Sequence, residues 1–122
     1  MSGRKKTVYI IEDDHEILLL ISSLLKKNNY DTVIDYNGND FDVTRLPCPD
    51  LYIIDINLID KHGGDLCAQI KKICPDIPVI LMSANSNLED IALAVKADRV
   101  LRKPFSTKHV IDAVTAFIND LS

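Results

Sequence analysis

The sequence predicts an α/β fold, a single doubly wound sheet of five parallel strands with five helices packed on its two faces. Two observations carry this. Short apolar runs alternate with longer stretches of 3.6-residue periodicity, in the order βαβαβαβαβα. Three of the short runs are apolar throughout rather than alternating, the mark of strands covered on both faces, and right-handed helical crossovers supply that cover. At 122 residues the chain is large enough to bury its own core without a disulfide or structural metal. Residues 1–122 are expected to form one domain, with 1–6 as a solvated tail.

Strands are expected at Thr7 to Ile11, Asp31 to Asp35, Leu51 to Asp55, Pro78 to Met82 and Arg99 to Arg102. The first helix follows Asp14 as N-cap and repeats Ile17, Ile21, Leu24 and Leu25. On a helical wheel Ile17, Leu20, Ile21, Leu24 and Leu25 share the core-facing side, while Leu19 falls with Ser22, Ser23 and Lys26 on the other. A weak second helix over 38–46 offers only Phe41, Val43 and Leu46, and Pro47 closes it. The third, after Gly63 and Gly64, repeats Leu66, Ile70 and Ile73. The fourth, Leu88 to Val95, is barely two turns, and the last repeats Val110, Val114, Phe117 and Leu121 behind a Ser106 cap.

Fourteen basic and eighteen acidic residues leave a net charge of −4, which opposes the attraction to phosphate backbones on which nucleic-acid binding depends. No apolar run reaches the roughly 18 residues of a membrane span, and no signal peptide is recognisable, so a cytoplasmic protein is expected. Cys48, Cys67 and Cys74 form no C-x-x-C pair and have no histidine at ligand spacing; they read as small apolar fillers.

Open parallel sheets bind ligands beyond the carboxyl ends of their strands. Those ends carry Glu12, Asp13 and Asp14 on the first strand, Asp55 on the third, Ser83 on the fourth and Lys103 on the fifth. Clustered carboxylates repel one another, so such a site calls for a cation. Lys103 supplies one positive charge. Oxygen-only ligands suit Mg²⁺ for the rest, together with phosphate oxygens. The chemistry indicated is phosphoryl transfer, with Asp55 as nucleophile, Lys103 and the metal neutralising the transferred group, and Ser83 donating to one of its oxygens. Asp14 alone reads as a cap, His15 and His62 as exposed polar residues beside the cleft, and His109 as a structural residue of the last helix.

Taken together, VYIIEDD, PDLYIIDINL, VILMSA and RVLRKPF resemble, in order, the four strand motifs of the receiver domains of two-component response regulators. The resemblance covers essentially the whole chain. It implies a flavodoxin-like strand order of 2-1-3-4-5, a phosphohistidine donor on a sensor histidine kinase or histidine phosphotransfer protein, and an acyl phosphate on Asp55. It further implies Mg²⁺ held by Asp13, Asp55 and the backbone carbonyl of Asn57, with Glu12 acting through water. Phosphorylation would then shift a balance between two surfaces that an output partner reads. The protein would catalyse only its own phosphorylation and dephosphorylation. A chain ending with the last helix suits a stand-alone receiver and an excised domain equally.

Several positions depart from that pattern. Glu12 stands where Asp is commoner, Ile59 where the loop usually has proline, and His62 where Asp often precedes the glycine. Lys96 replaces the usual glycine before the last strand. Val100 occupies the place of an aromatic that usually swings inward on phosphorylation, so coupling through that position is not expected. The segment from Ser83 to Lys103 is about two residues short for the family. Two rival functions follow, a degenerate receiver serving as a phosphorylation-independent interaction module and a small metal-dependent phosphatase. Asn57, where the phosphatase needs a second acid, argues against the latter, and the intact acidic pair, Asp55, Ser83 and Lys103 against the former. The resemblance places docking of the phosphodonor on the first helix, which makes Leu19 the candidate contact.

Overall fold

A computed structural model describes residues 5–39, 41, 42, 44 and 48–118. Its elements run β1 (Thr7–Ile11), α1 (His15–Lys27), β2 (Asp31–Asp35), β3 (Leu51–Asp55), α2 (Gly63–Ile73), β4 (Val79–Ser83), α3 (Leu88–Val95), β5 (Arg99–Arg102) and α4 (Thr107–Thr115). All strand pairings are parallel, in the order β2-β1-β3-β4-β5. Four strands fall where the sequence places them, and β4 starts one residue later than expected. Pro78 has no N–H to donate and precedes the strand, though its carbonyl accepts from Tyr52 N at 3.0 Å, and at the other end β4 runs one residue further, to Ser83.

The described residues hold four helices rather than five. Of the expected second helix, residues 40, 43, 45 and 46 lie outside the described set, and 38, 39, 41, 42 and 44 are turn or irregular. An aromatic cluster covers part of that face instead: Phe41 packs edge-on against Tyr9 and Tyr52, with ring centroids 6.2 and 5.8 Å away. Val33 on the edge strand β2 stays exposed beside it.

One core lies between the sheet and α1 with α4, built on Val8, Ile10, Leu18, Ile21, Leu25, Ile53, Ile80 and Val110. The other lies between the opposite face and α2 with α3, built on Ile11, Ile54, Leu66, Ile70, Leu81 and Leu88. β3 and β4 are buried at every residue, as strands with helices on both faces must be. Each such Ile or Leu contributes about 1.5–3 kcal/mol by leaving water, which fixes β3 as a rigid support for the residue at its end.

The buried stripe of α1 is Leu18, Ile21, Ser22 and Leu25. Two expectations are thereby corrected: Leu20 is 52% exposed, and Ser22 is buried. Ser22 Oγ shares a 2.7 Å hydrogen bond with Thr32 Oγ1 on β2, so a hydroxyl on the core side loses no partner. Asp14 caps α1 as expected, accepting from the backbone N–H groups of Glu16 and Ile17 at 3.0 and 3.2 Å. Helix α4 stops at Thr115, Phe117 is 38% exposed, and Leu121 lies outside the described residues.

Candidate active site

Asp55 closes β3 with 4% of its surface exposed. The strand pairing that buries LYII carries the carboxylate to the sheet edge. There Oδ1 accepts from the Asn57 backbone N–H at 3.0 Å and Oδ2 from Lys103 Nζ at 2.9 Å. The following loop folds back at once: Asn57 pairs with His62 in an isolated antiparallel bridge, and Gly63 N donates to Ile56 O at 2.8 Å. A Cβ at Gly63 would sit 2.1 Å from the Asp55 carbonyl oxygen, which only glycine avoids. His62 Nδ1 accepts from Gly64 N at 3.0 Å and caps α2. That gives His62 a role the sequence reading did not assign it. Ile59 is 80% exposed in this loop, and nothing in the structure accounts for it.

Glu12, one residue past β1, has no exposed surface. Its Oε1 accepts from Lys103 Nζ at 2.6 Å. Carboxylate oxygens of Glu12, Asp13 and Asp55 all lie within 4.8 Å of one another. Two unit charges about 5 Å apart repel by about 3 kcal/mol at an effective dielectric near 20, and one ammonium does not offset three carboxylates. Burial, and next the neighbouring Asp55, push Glu12 up from 4.5 to about 8, against the pull of Lys103. Burial alone would lower Lys103, but its hydrogen bonds to Glu12 and Asp55 outweigh that and raise it. The donor set is all oxygen and short of positive charge, which fits a hard divalent cation.

Ser83 ends β4 and is 1% exposed. Its Oγ accepts from Asn85 N at 2.9 Å and from Asn57 Nδ2 at 3.3 Å. With both acceptor positions engaged, the hydroxyl's remaining capacity is as a donor. Lys103 N donates to Ser83 O at 3.0 Å, which carries the β4–β5 ladder on to the lysine, and the Lys103–Pro104 peptide is cis. The structure thus brings together Glu12, Asp13, Asp55, Asn57, Ser83 and Lys103. Leu19 lies apart from them on α1, 51% exposed.

Asn85 and Arg102 went unassigned in the sequence. Asn85 Nδ2 donates to Asn57 Oδ1 at 3.4 Å, and Arg102 Nη1 to Asn85 O at 2.7 Å. The signal available was Asn85 two residues after Ser83, a spacing at which a side chain and a backbone N–H meet in a tight turn. Asp35, buried at the end of β2, also went unread; it accepts from Tyr9 Oη at 2.9 Å and from Gly38 N at 2.8 Å.

The family model described as the response regulator receiver domain matches residues 8–115. The chain belongs to that family. Solved structures agree on the fold of this receiver. A CheY-like receiver domain protein from Methanospirillum hungatei is 23% identical, with 92% of each chain covered and a TM-score of 0.79. The BeF3-activated receiver domain of DrrB is 25% identical, covering 93% of this chain and 97% of its own, with a TM-score of 0.83; DrrB is an OmpR/PhoB homologue from Thermotoga maritima. The chemotaxis protein CheY4 of Vibrio cholerae is 17% identical, covering 93% and 99%, again with a TM-score of 0.83. The first and last, below 25% identity, bear on the receiver fold alone. No helix among the described residues is long and apolar enough to cross a membrane.

Proposed function

We propose that this receiver is a phosphoacceptor of a two-component or phosphorelay system, taking a phosphoryl group on Asp55 from a phosphohistidine of a sensor kinase or phosphotransfer protein. The observation that carries the reading is the buried Asp55 carboxylate, held by the Asn57 N–H and Lys103 Nζ with Glu12 and Asp13 within 4.8 Å. A side chain fixed by two hydrogen bonds on a rigid strand is oriented before its partner arrives. An Asp55 oxygen attacks phosphorus, the bond from phosphorus to the imidazole nitrogen breaks, and the electron pair leaves with the histidine.

Asp13, Asp55 and the Asn57 carbonyl would hold Mg²⁺, with Glu12 behind them through water. The ion would supply the charge neutralisation that lets a polyanion approach three acids. Lys103 takes the charge that develops on the phosphoryl oxygens, and the Ser83 hydroxyl donates to one of them. The protein then catalyses no more than gain and loss of its own phosphoryl group. Helix α1 presents Leu19 to the donor. A cytoplasmic setting fits this partner, and the net charge of −4 opposes nucleic acid as a ligand.

Incubation with Mg²⁺ and acetyl phosphate tests the reading. A base-labile adduct by intact mass, absent in Asp55→Asn, is expected. No adduct with any small donor or metal favours an interaction module, and rapid turnover of an unrelated phosphomonoester favours a phosphatase.

A further inference from the structure

The β4–α3 loop is tied at both ends of a short polar chain. At one end Asn85 N donates to Ser83 Oγ at 2.9 Å, inside the site. At the other, Arg102 on β5 grips the carbonyl of the same residue, with Nη1 2.7 Å from Asn85 O. The second guanidinium nitrogen pairs with Glu89 in the first turn of α3. One planar side chain therefore joins β5, the loop that carries Ser83's backbone donor, and the start of α3. An arginine fork suits this, because its donors sit in a fixed geometry and engage two acceptors at once.

Resting on the reading of Asp55 as phosphoacceptor, we infer that Arg102 is a positioning residue, a latch that holds the β4–α3 loop and α3 in the resting arrangement and is released when Ser83 turns to the phosphoryl group. Ser83 Oγ now accepts from both Asn85 N and Asn57 Nδ2. Its donor position is free for a phosphoryl oxygen, and travel of Oγ toward that oxygen draws on the bond from Asn85 N, so the loop that carries Asn85 moves with it. A loop that follows draws Asn85 O away from the Arg102 guanidinium, whose backbone is fixed on β5, and loosens the Arg102–Glu89 pair with it. The signal leaves the site through Asn85 and Arg102 and reaches α3, where Leu93 is 82% exposed. A bond made in one state and lost in the other biases the balance between them by its differential strength.

The test is beryllofluoride binding at fixed Mg²⁺, followed by amide resonances of the whole chain, in wild type, Arg102→Ala, Glu89→Ala and the double variant. Releasing the latch favours the occupied state, so each single variant is expected to bind about two- to fivefold more tightly, the range of an exposed ion pair. The double variant is expected to bind no more tightly than Arg102→Ala, which already lacks both links, since Glu89→Ala leaves the Arg102–Asn85 bond in place. A lost fold or a general loosening would weaken binding, so Glu89→Ala keeps the test sharp if Arg102→Ala folds poorly. Wild-type binding with unchanged or weakened binding in Glu89→Ala overturns this inference alone. No Asp55-dependent binding by the wild type overturns the phosphoacceptor reading and this inference with it.

Discussion

Lys103 Nζ lies 2.6 Å from Glu12 Oε1, on a carboxylate with no exposed surface. Glu12 is thus held by a cation that Asp55 also claims, at 2.9 Å. In the metal-free protein burial raises Glu12 to about 8, so it carries a proton near neutrality. A carboxyl raised in the fold favours folding below its unfolded value of 4.5, and that contribution is lost as pH rises through about 8. Thermal unfolding without metal should therefore shift to lower temperature between roughly pH 5 and pH 8 and level off above, and Glu12→Gln should flatten the slope. Mg²⁺ that displaces the proton should bind up to about tenfold more tightly for each unit of pH rise toward 8, and independently of pH above it. A metal affinity independent of pH over that range would contradict the account of Glu12.

Gly63 leaves room for nothing larger against the Asp55 carbonyl, with a Cβ placed 2.1 Å from that oxygen and 2.8 Å from the Ile56 Cα. Both neighbours are backbone of a buried strand end, which has no space to shift. Gly63→Ala is expected to cost about 3 kcal/mol in urea unfolding and to lower phosphorylation of Asp55 by displacing the loop. A cost under about 1 kcal/mol would show that the loop yields.

Lys96 ends α3 in the left-handed region, at φ 63° and ψ 34°. A side chain there costs about 1 kcal/mol that glycine does not incur. Lys96→Gly is expected to stabilise the domain by about 0.5–1 kcal/mol in denaturant unfolding. A destabilised variant would mean that the lysine side chain makes contacts outweighing its backbone strain.

Leu19 and Leu20 stand side by side on α1, each about half exposed. If α1 receives the donor, Leu19→Ala should slow transfer from the cognate phosphohistidine protein about tenfold, while phosphorylation by acetyl phosphate stays at its wild-type rate. Unchanged transfer from the protein donor would remove Leu19 from the interface.

Strands were the legible part of this fold, because a strand buried on both faces must be apolar throughout, and LYII and VILM are. Asp55 and Ser83 were legible for the same reason: a polar residue ending such a run stands at the sheet edge. The phase of α1 was not. Ile17 through Ile21 are all apolar, so the wheel admits neighbouring phases, and the Ser22–Thr32 hydroxyl contact across to β2 accompanies the one adopted. The helix that the described residues lack was foreshadowed by its weak pattern, yet nothing local showed that Phe41 would pack on Tyr9 and Tyr52. Arg102 reads as an ordinary strand-end arginine until β4, β5 and α3 are brought together, since its two partners lie 17 and 13 residues away.

Reductive trapping marks the phosphorylated side chain itself. The protein is phosphorylated with Mg²⁺ and acetyl phosphate, treated with borohydride, digested and mapped by mass. An acyl phosphate on Asp55 is reduced to the alcohol, so homoserine is expected at position 55 and nowhere else. Homoserine at another aspartate, or none in a sample that carries the phosphoryl group, would contradict the assignment of Asp55.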